Sequence, residues 1–269
     1  MPAPVFLNHF YLTLDSATFQ GVRESRFLQD EFAPFEQRTT HRNDSIYTGI
    51  YFYGRNTYFE FFEEGKSEGK APGASGIAFG IETPGGAASL SAMFPVQRLY
   101  TRRTETGEPP WFHSAERPNV SRADFFRTWV MEYHADFLAQ WYPELSAAPV
   151  TAPRRRRNVL DRYVQKIGLG PRRGEFLMKD VTSIELSLPE GEARSFLSLL
   201  ESLGYQVAGS RATGPEIQLT VTGAARPRGI TAVEFSLQKS ILSEARIGLG
   251  PRSELALNPR GFARWRWDG

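Results

Sequence analysis

The chain has 269 residues, 41% of them hydrophobic and 23% charged, an ordinary globular composition with ample length for a buried core. Its 32 Lys and Arg against 30 Asp and Glu leave a net charge of +2, too little to recruit nucleic acid or an anionic membrane through the protein's field. There is no cysteine, so disulfides, thiolate metal sites and cysteine nucleophiles are excluded.

The opening Met1-Pro2-Ala3-Pro4 has no basic n-region or A-x-A site, and no apolar run approaches the ~18 residues of a membrane span. The expected location is therefore cytoplasmic. Residues 5–15 read as a strand, with Phe6, Phe10, Leu12 and Leu14 on one face and Leu7, His9, Tyr11 and Thr13 on the other. Asp15 and Ser16 offer N-cap oxygens to a helix carrying Phe19, Val22 and Phe27. Extended segments follow at 35–42, 46–53 and 57–63, the last two joined by Gly54-Arg55-Asn56. The order is β-α-β-β-β.

A second unit opens with a strand at 76–83, then Gly85-Gly86, a short apolar helix around Ala87–Phe94, and strands at 96–104 and 111–114. The segment 121–142 is ambiguous. Phe125, Trp129, Tyr133, Phe137 and Trp141 recur at helical spacing behind Ser121 and Asp124, which resemble a capping box. Arg127–Tyr133 also fits the last strand that the unit needs, with a short helix from Ala135, and the strand is preferred. Ala147–Arg157 reads as a Pro-rich linker and Arg154–Arg157 as a solvated run. The division is 1–146, a linker over 147–164, and 165–269.

Beyond the linker, Ala193, Phe196, Leu197, Leu200 and Leu203 line one face of a helix that stops at Gly204. Strands are expected at 182–188 before it and at 205–209, 216–222, 230–237, 245–249, 253–257 and 263–267 after it. Residues 181–188 (VTSIELSL) echo 230–237 (ITAVEFSL), and Gly168-Leu169-Gly170-Pro171-Arg172 recurs at 248–252. The echoes indicate duplication, and both GLGPR segments read as turns. The expected fold class is α+β: tandem βαβββ modules forming cupped mixed β-sheets with helices on the outside. The fourth module has lost most of its helix.

LNHFYLTLD with its helix, followed by YTGIYFYGRNTYFEFFE, resembles the vicinal oxygen chelate superfamily of glyoxalases, bleomycin-resistance proteins and extradiol dioxygenases. In that superfamily the first strand often begins with a histidine ligand and the last carries a glutamate, places that His9 and Glu60 match. The alternation also puts both on the strand face away from the apolar layer. The resemblance implies a divalent transition metal (Fe, Mn, Zn or Ni) on His9 and Glu60, with Glu132 as third ligand if 127–133 is a strand. His134 would be a further ligand or an acid/base group, and His113 a second acid/base candidate.

Tyr11, Tyr58 and Phe62 would line the pocket, and Arg102 and Arg103 could clamp a substrate anion. The first strand of the second unit has no His9 counterpart, and no histidine follows His134. The four-ligand glyoxalase set and the extradiol iron site are thus incomplete. The leading expectation is a metal-dependent glyoxalase-like enzyme that chelates a small oxygen-rich molecule as a Lewis acid. Isomerase, lyase, transferase and oxygenase chemistry all fit. The alternative is a metal-free small-molecule binding or drug-sequestering protein of the bleomycin-resistance type. The expected partner is a small molecule, with a homodimer possible and neither nucleic acid nor membrane.

Overall fold

The computed structural model describes residues 4–66, 71–117, 125–142, 144–147, 149, 151–226 and 228–268. Ser121 and Asp124, the expected capping box, lie outside them. The fold is mixed α+β, with two eight-stranded mixed sheets and few helices. The first half runs β1 (Val5–Leu14), α1 (Ser16–Glu24), β2 (Phe35–Arg42), β3 (Ser45–Tyr53), β4 (Tyr58–Glu63), β5 (Ser75–Ile81), β6 (Val96–Thr101), β7 (Pro110–Glu116) and β8 (Phe126–Tyr133). The preferred strand reading of Arg127–Tyr133 agrees with β8. The expected helix around Ala87–Phe94 shrinks to one 3-10 turn at Ala88–Leu90.

The first sheet is ordered β2-β3-β4-β1-β5-β8-β7-β6. β1 pairs parallel with β4, β5 parallel with β8, and β1 antiparallel with β5 at the centre. Its two edge strands then meet. Arg42 and Arg102 form an antiparallel bridge, Asn43 N–H donates to the Thr101 carbonyl at 3.3 Å, and Arg103 N–H donates to the His41 carbonyl at 2.9 Å. The sheet therefore closes into a barrel and leaves few unpaired edge groups.

Among the described residues three helices follow: α2 (Ala135–Ala139), α3 (Glu144–Ala147) and α4 (Arg156–Lys166). The stretch expected to be a linker is thus partly a packed helix. Val159, Leu160, Tyr163 and Val164 of α4 are buried, and with Phe137 and Leu138 of α2 they pack among residues inside one end of the barrel. The arginine run is not a solvated face throughout. Arg156 is 6% exposed. It donates to the Leu7 carbonyl and pairs with Glu82 at 3.2 Å and Glu216 at 3.0 Å.

The second sheet is built from β9 (Met178–Leu188), β10 (Gln206–Ala208), β11 (Arg211–Gly214), β12 (Ile217–Gly223), β13 (Gly229–Leu237), β14 (Ala245–Gly248), β15 (Ser253–Asn258) and β16 (Phe262–Trp267), with α5 (Glu190–Ser202) between β9 and β10. Its order, β10-β11-β12-β9-β13-β16-β15-β14, copies the first. One relation is inverted: β13 runs antiparallel to β16, whereas β5 runs parallel to β8. A parallel partner requires a crossover. The segment between β13 and β14 has no helix to supply one, so the last three strands run in the opposite sense.

Helices cover little of the outer face of the first sheet, contrary to expectation. The second sheet covers much of it. Phe59 meets Phe235 at 5.3 Å and Trp265 at 6.1 Å, and Phe61 meets Trp265 at 5.1 Å. One continuous core joins the two halves. Among the described residues no helix is long and apolar enough to cross a membrane.

Candidate functional site

The barrel interior holds a cavity of about 530 Å³. Strand alternation supplies its walls: His9 and Tyr11 from β1, Tyr47 from β3, Tyr58, Glu60 and Phe62 from β4, Phe112, Ser114 and Glu116 from β7, and Trp129 and Met131 from β8. Small residues keep the space open. A Cβ on Gly76 would lie 2.5 Å from the Tyr11 ring and 3.0 Å from Trp129, and one on Gly49 would lie 2.6 Å from Phe62. Helices α2 and α4 plug the end near Tyr58. At the other end, beside Phe126 at the start of β8, Glu192, Ser195, Phe196 and Leu199 of α5 form part of the lining. The second half thus completes the mouth.

His9 is aimed by a bulge. The β1–β5 register slips between Leu7 and His9, leaving Asn8 outside the ladder. Leu7 consequently faces the outer core, not the His9 face assigned by strict alternation. His9 Nδ1 lies 2.9 Å from Asn8 Oδ1, an oxygen that only accepts, so the ring proton sits on Nδ1 and Nε2 is left bare. The ring stacks on Tyr58 at 4.4 Å and meets the edge of Trp129 at 5.4 Å. Burial pushes the imidazole down to about 3, so it is neutral at physiological pH.

Glu60 Oε1 lies 3.7 Å from His9 Nε2. Burial pushes its carboxyl up to about 7, against the opposing pull of Arg38, a Tyr58 hydrogen bond, Arg42 and Arg102. Arg38 is held by Glu36 at 2.9 Å, Arg42 is paired with Asp44, and Arg102 lies over the Trp111 ring at 5.3 Å.

The structure brings together His9, Glu60, Tyr11, Tyr58 and Phe62 and places the other expected site residues elsewhere. On β8, Trp129 and Met131 take the inward positions, so Glu132 points outward. Its oxygens accept from Gly85 N–H at 2.8 Å and Ala87 N–H at 3.1 Å, and Arg154 lies 3.4 Å away. His113, opposite Glu132 in the register, is also outward, with its ring 5.6 Å from that of His134. His134 caps α2 through Asp136 N–H at 3.3 Å. Arg102 sits at the barrel seam, and Arg103 is exposed beside it.

The expected three-donor metal set is therefore not assembled. His9 Nε2 and Glu60 converge, but both oxygens of Glu132 are engaged on the far side of the sheet. Among the described residues no group of three His, Asp or Glu could hold a metal ion. Sequence reasoning missed Tyr47, Trp129 and the α5 residues. Inward alternation on β3 and β8 could have found the first two, whereas no local pattern announces that a helix of the second half reaches the barrel mouth.

Residues 7–267 match a family described as "Family of unknown function (DUF5829)". No curated protein matches the chain. Among solved structures, the chain is similar to a hypothetical protein from Staphylococcus aureus, at 8% identity and a TM-score of 0.53, over 91% of this chain and 96% of that one. At that identity the likeness is one of fold.

Proposed function

We propose that this chain, which belongs to the DUF5829 family, binds a small organic molecule inside its N-terminal barrel and does so without a metal ion. One observation carries the reading. The barrel encloses about 530 Å³ of space walled by aromatic rings, with one buried carboxyl and one neutral imidazole converging within it. Apolar walls with a few convergent polar groups and perturbed titration are the usual physical description of a ligand site. The matching strand orders of the two sheets and the β1–β4 and β9–β12 parallel pairs support tandem βαβββ modules and a distant relation to the vicinal oxygen chelate superfamily. The bleomycin-resistance style of use, binding without a metal, is the branch that the donor set favours.

A panel of small aromatic molecules, cationic, neutral and anionic, tests the proposal by ligand-observed NMR. Saturable binding at one site per chain is expected. Ser195→Trp places a bulky ring at the mouth from an exposed helix position; it is expected to weaken binding with little change in melting temperature. The proposal fails if no probe binds, or if the folded Ser195→Trp variant binds as well as the wild type.

A further inference from the structure

We infer that the ligand of the barrel carries a protonated nitrogen, an ammonium group seated between His9 and Glu60. The inference rests on the cavity being a binding site and adds its ligand class. His9 Nε2 and Glu60 Oε1 stand 3.7 Å apart. Asn8 fixes the Nδ1 proton on the far side of the ring, so Nε2 can only accept. A carboxylate can only accept as well. The Tyr58 hydrogen bond uses part of the carboxylate's accepting capacity; what remains faces the bare Nε2, and a donor reaching both would satisfy the pair.

The walls beside the pair are aromatic, and the wider lining carries both signs of charge, Arg42 and Arg127 with Asp44 and Glu116. The Tyr58 ring stacks on His9 at 4.4 Å, Trp129 meets His9 in an edge contact at 5.4 Å, and Tyr11 packs 5.8 Å from Phe62. A desolvated carboxylate holds an ammonium group through a charge-assisted hydrogen bond.

The groups facing Glu60 leave it as the titrating member in the neutral range. On β1, His9 stays neutral; on β2, Arg38 and Arg42 stay charged. Tyr47 and Tyr51 on β3, Tyr58 on β4 itself and Tyr133 on β8 are all pushed upward by burial and stay protonated. Arg102 faces it from beyond β6.

Calorimetry with three probes of one shape provides the test: benzylamine, benzyl alcohol and benzoate. At pH 8, benzylamine, protonated throughout the range used, is expected to bind at least about tenfold more tightly than benzyl alcohol. Its affinity is expected to fall as pH drops from 8 to 5.5, approaching ~tenfold per unit once Glu60 is mostly protonated. Glu60→Gln is expected to erase both the preference and the pH dependence. Binding of the alcohol or benzoate without a benzylamine preference would overturn the ammonium inference and leave the binding cavity standing. So would a preference that survives in Glu60→Gln. If none of the three binds, the inference and the binding site fall together.

Discussion

His9 Nδ1 and Asn8 Oδ1 are joined at 2.9 Å because the bulge in β1 lifts Asn8 out of the ladder and turns its amide toward the neighbouring ring. The contact sets the tautomer, and burial pushes the imidazole down to about 3. NMR of the His9 ring is therefore expected to show one neutral tautomer, protonated on Nδ1, that takes up no second proton from pH 8 to pH 5. Asn8→Asp sets a carboxylate against Nδ1 and is expected to raise the His9 midpoint. Titration of wild-type His9 near its ordinary 6.5 would defeat this account of the site.

Glu60 is the complementary case. Its folded-state carboxyl is pushed up to about 7 from an ordinary 4.5. Between those values the folded protein holds more protons at this group than the unfolded chain does, so its contribution to stability falls as pH rises through the window. His9 acts in the opposite direction below its ordinary 6.5, because the unfolded chain takes the proton that the buried ring refuses. Removing the carboxylate should thus help most at high pH. Glu60→Gln is expected to be more stable than wild type at pH 8 by roughly 2 kcal/mol, with the advantage shrinking toward pH 5. Urea unfolding at several pH values measures it, and a variant less stable than wild type at pH 8 would mean that the carboxylate is well solvated or paired.

Much of the N-terminal unit was legible in the sequence because its strands alternate cleanly and its turn chemistry is local. Phe10 and Leu12 face the outer core, and Tyr58 and Glu60 the cavity, as period two requires. Glu132 was placed on the wrong face because Glu60 served as its template; only the β8 register, with Trp129 and Met131 inward, shows the difference in phase. Helix α4 was hidden by its own arginines. Val159, Leu160, Tyr163 and Val164 do recur at helical spacing, but the run before them reads as solvent-facing unless a buried carboxylate is known to receive it. Glu82, half-buried just after β5, is that carboxylate, 74 residues away along the chain. Tertiary partners of this kind leave no local trace.

That hidden staple carries its own prediction. The Arg156 guanidinium lies 4.4 Å over the Phe6 ring, donates to the Leu7 carbonyl and pairs with Glu82 and Glu216, so it links α4, β1 and the turn before β12. Arg156→Met keeps much of the volume and removes every one of these bonds, leaving the half-buried Glu82 without its cation. A loss of about 3 kcal/mol in urea-induced unfolding is expected. Arg157→Met, at an exposed position next door, is expected to change stability by no more than ~0.5 kcal/mol. Equal effects at the two positions would show that the run is merely solvated.

Glu132 separates the metal-free reading from the metal-dependent one. Its two oxygens satisfy the Gly85 and Ala87 N–H groups and face Arg154, so its role is to pin the turn between β5 and β6 to β8. Glu132→Ala is expected to cost about 2 kcal/mol of stability, because the Gly85 amide and the buried Ala87 amide lose their acceptor, and to leave benzylamine binding in the cavity unchanged. Added Mn²⁺, Fe²⁺ or Zn²⁺ is expected to leave the wild-type melting temperature unaltered, since an ion that bound only the folded state would raise it by mass action. The contrary outcome is equally definite. Near-stoichiometric metal in protein purified without chelators, lost in His9→Ala and in Glu132→Ala alike, would require Glu132 to turn through the sheet toward the cavity and would restore the Lewis-acid enzyme.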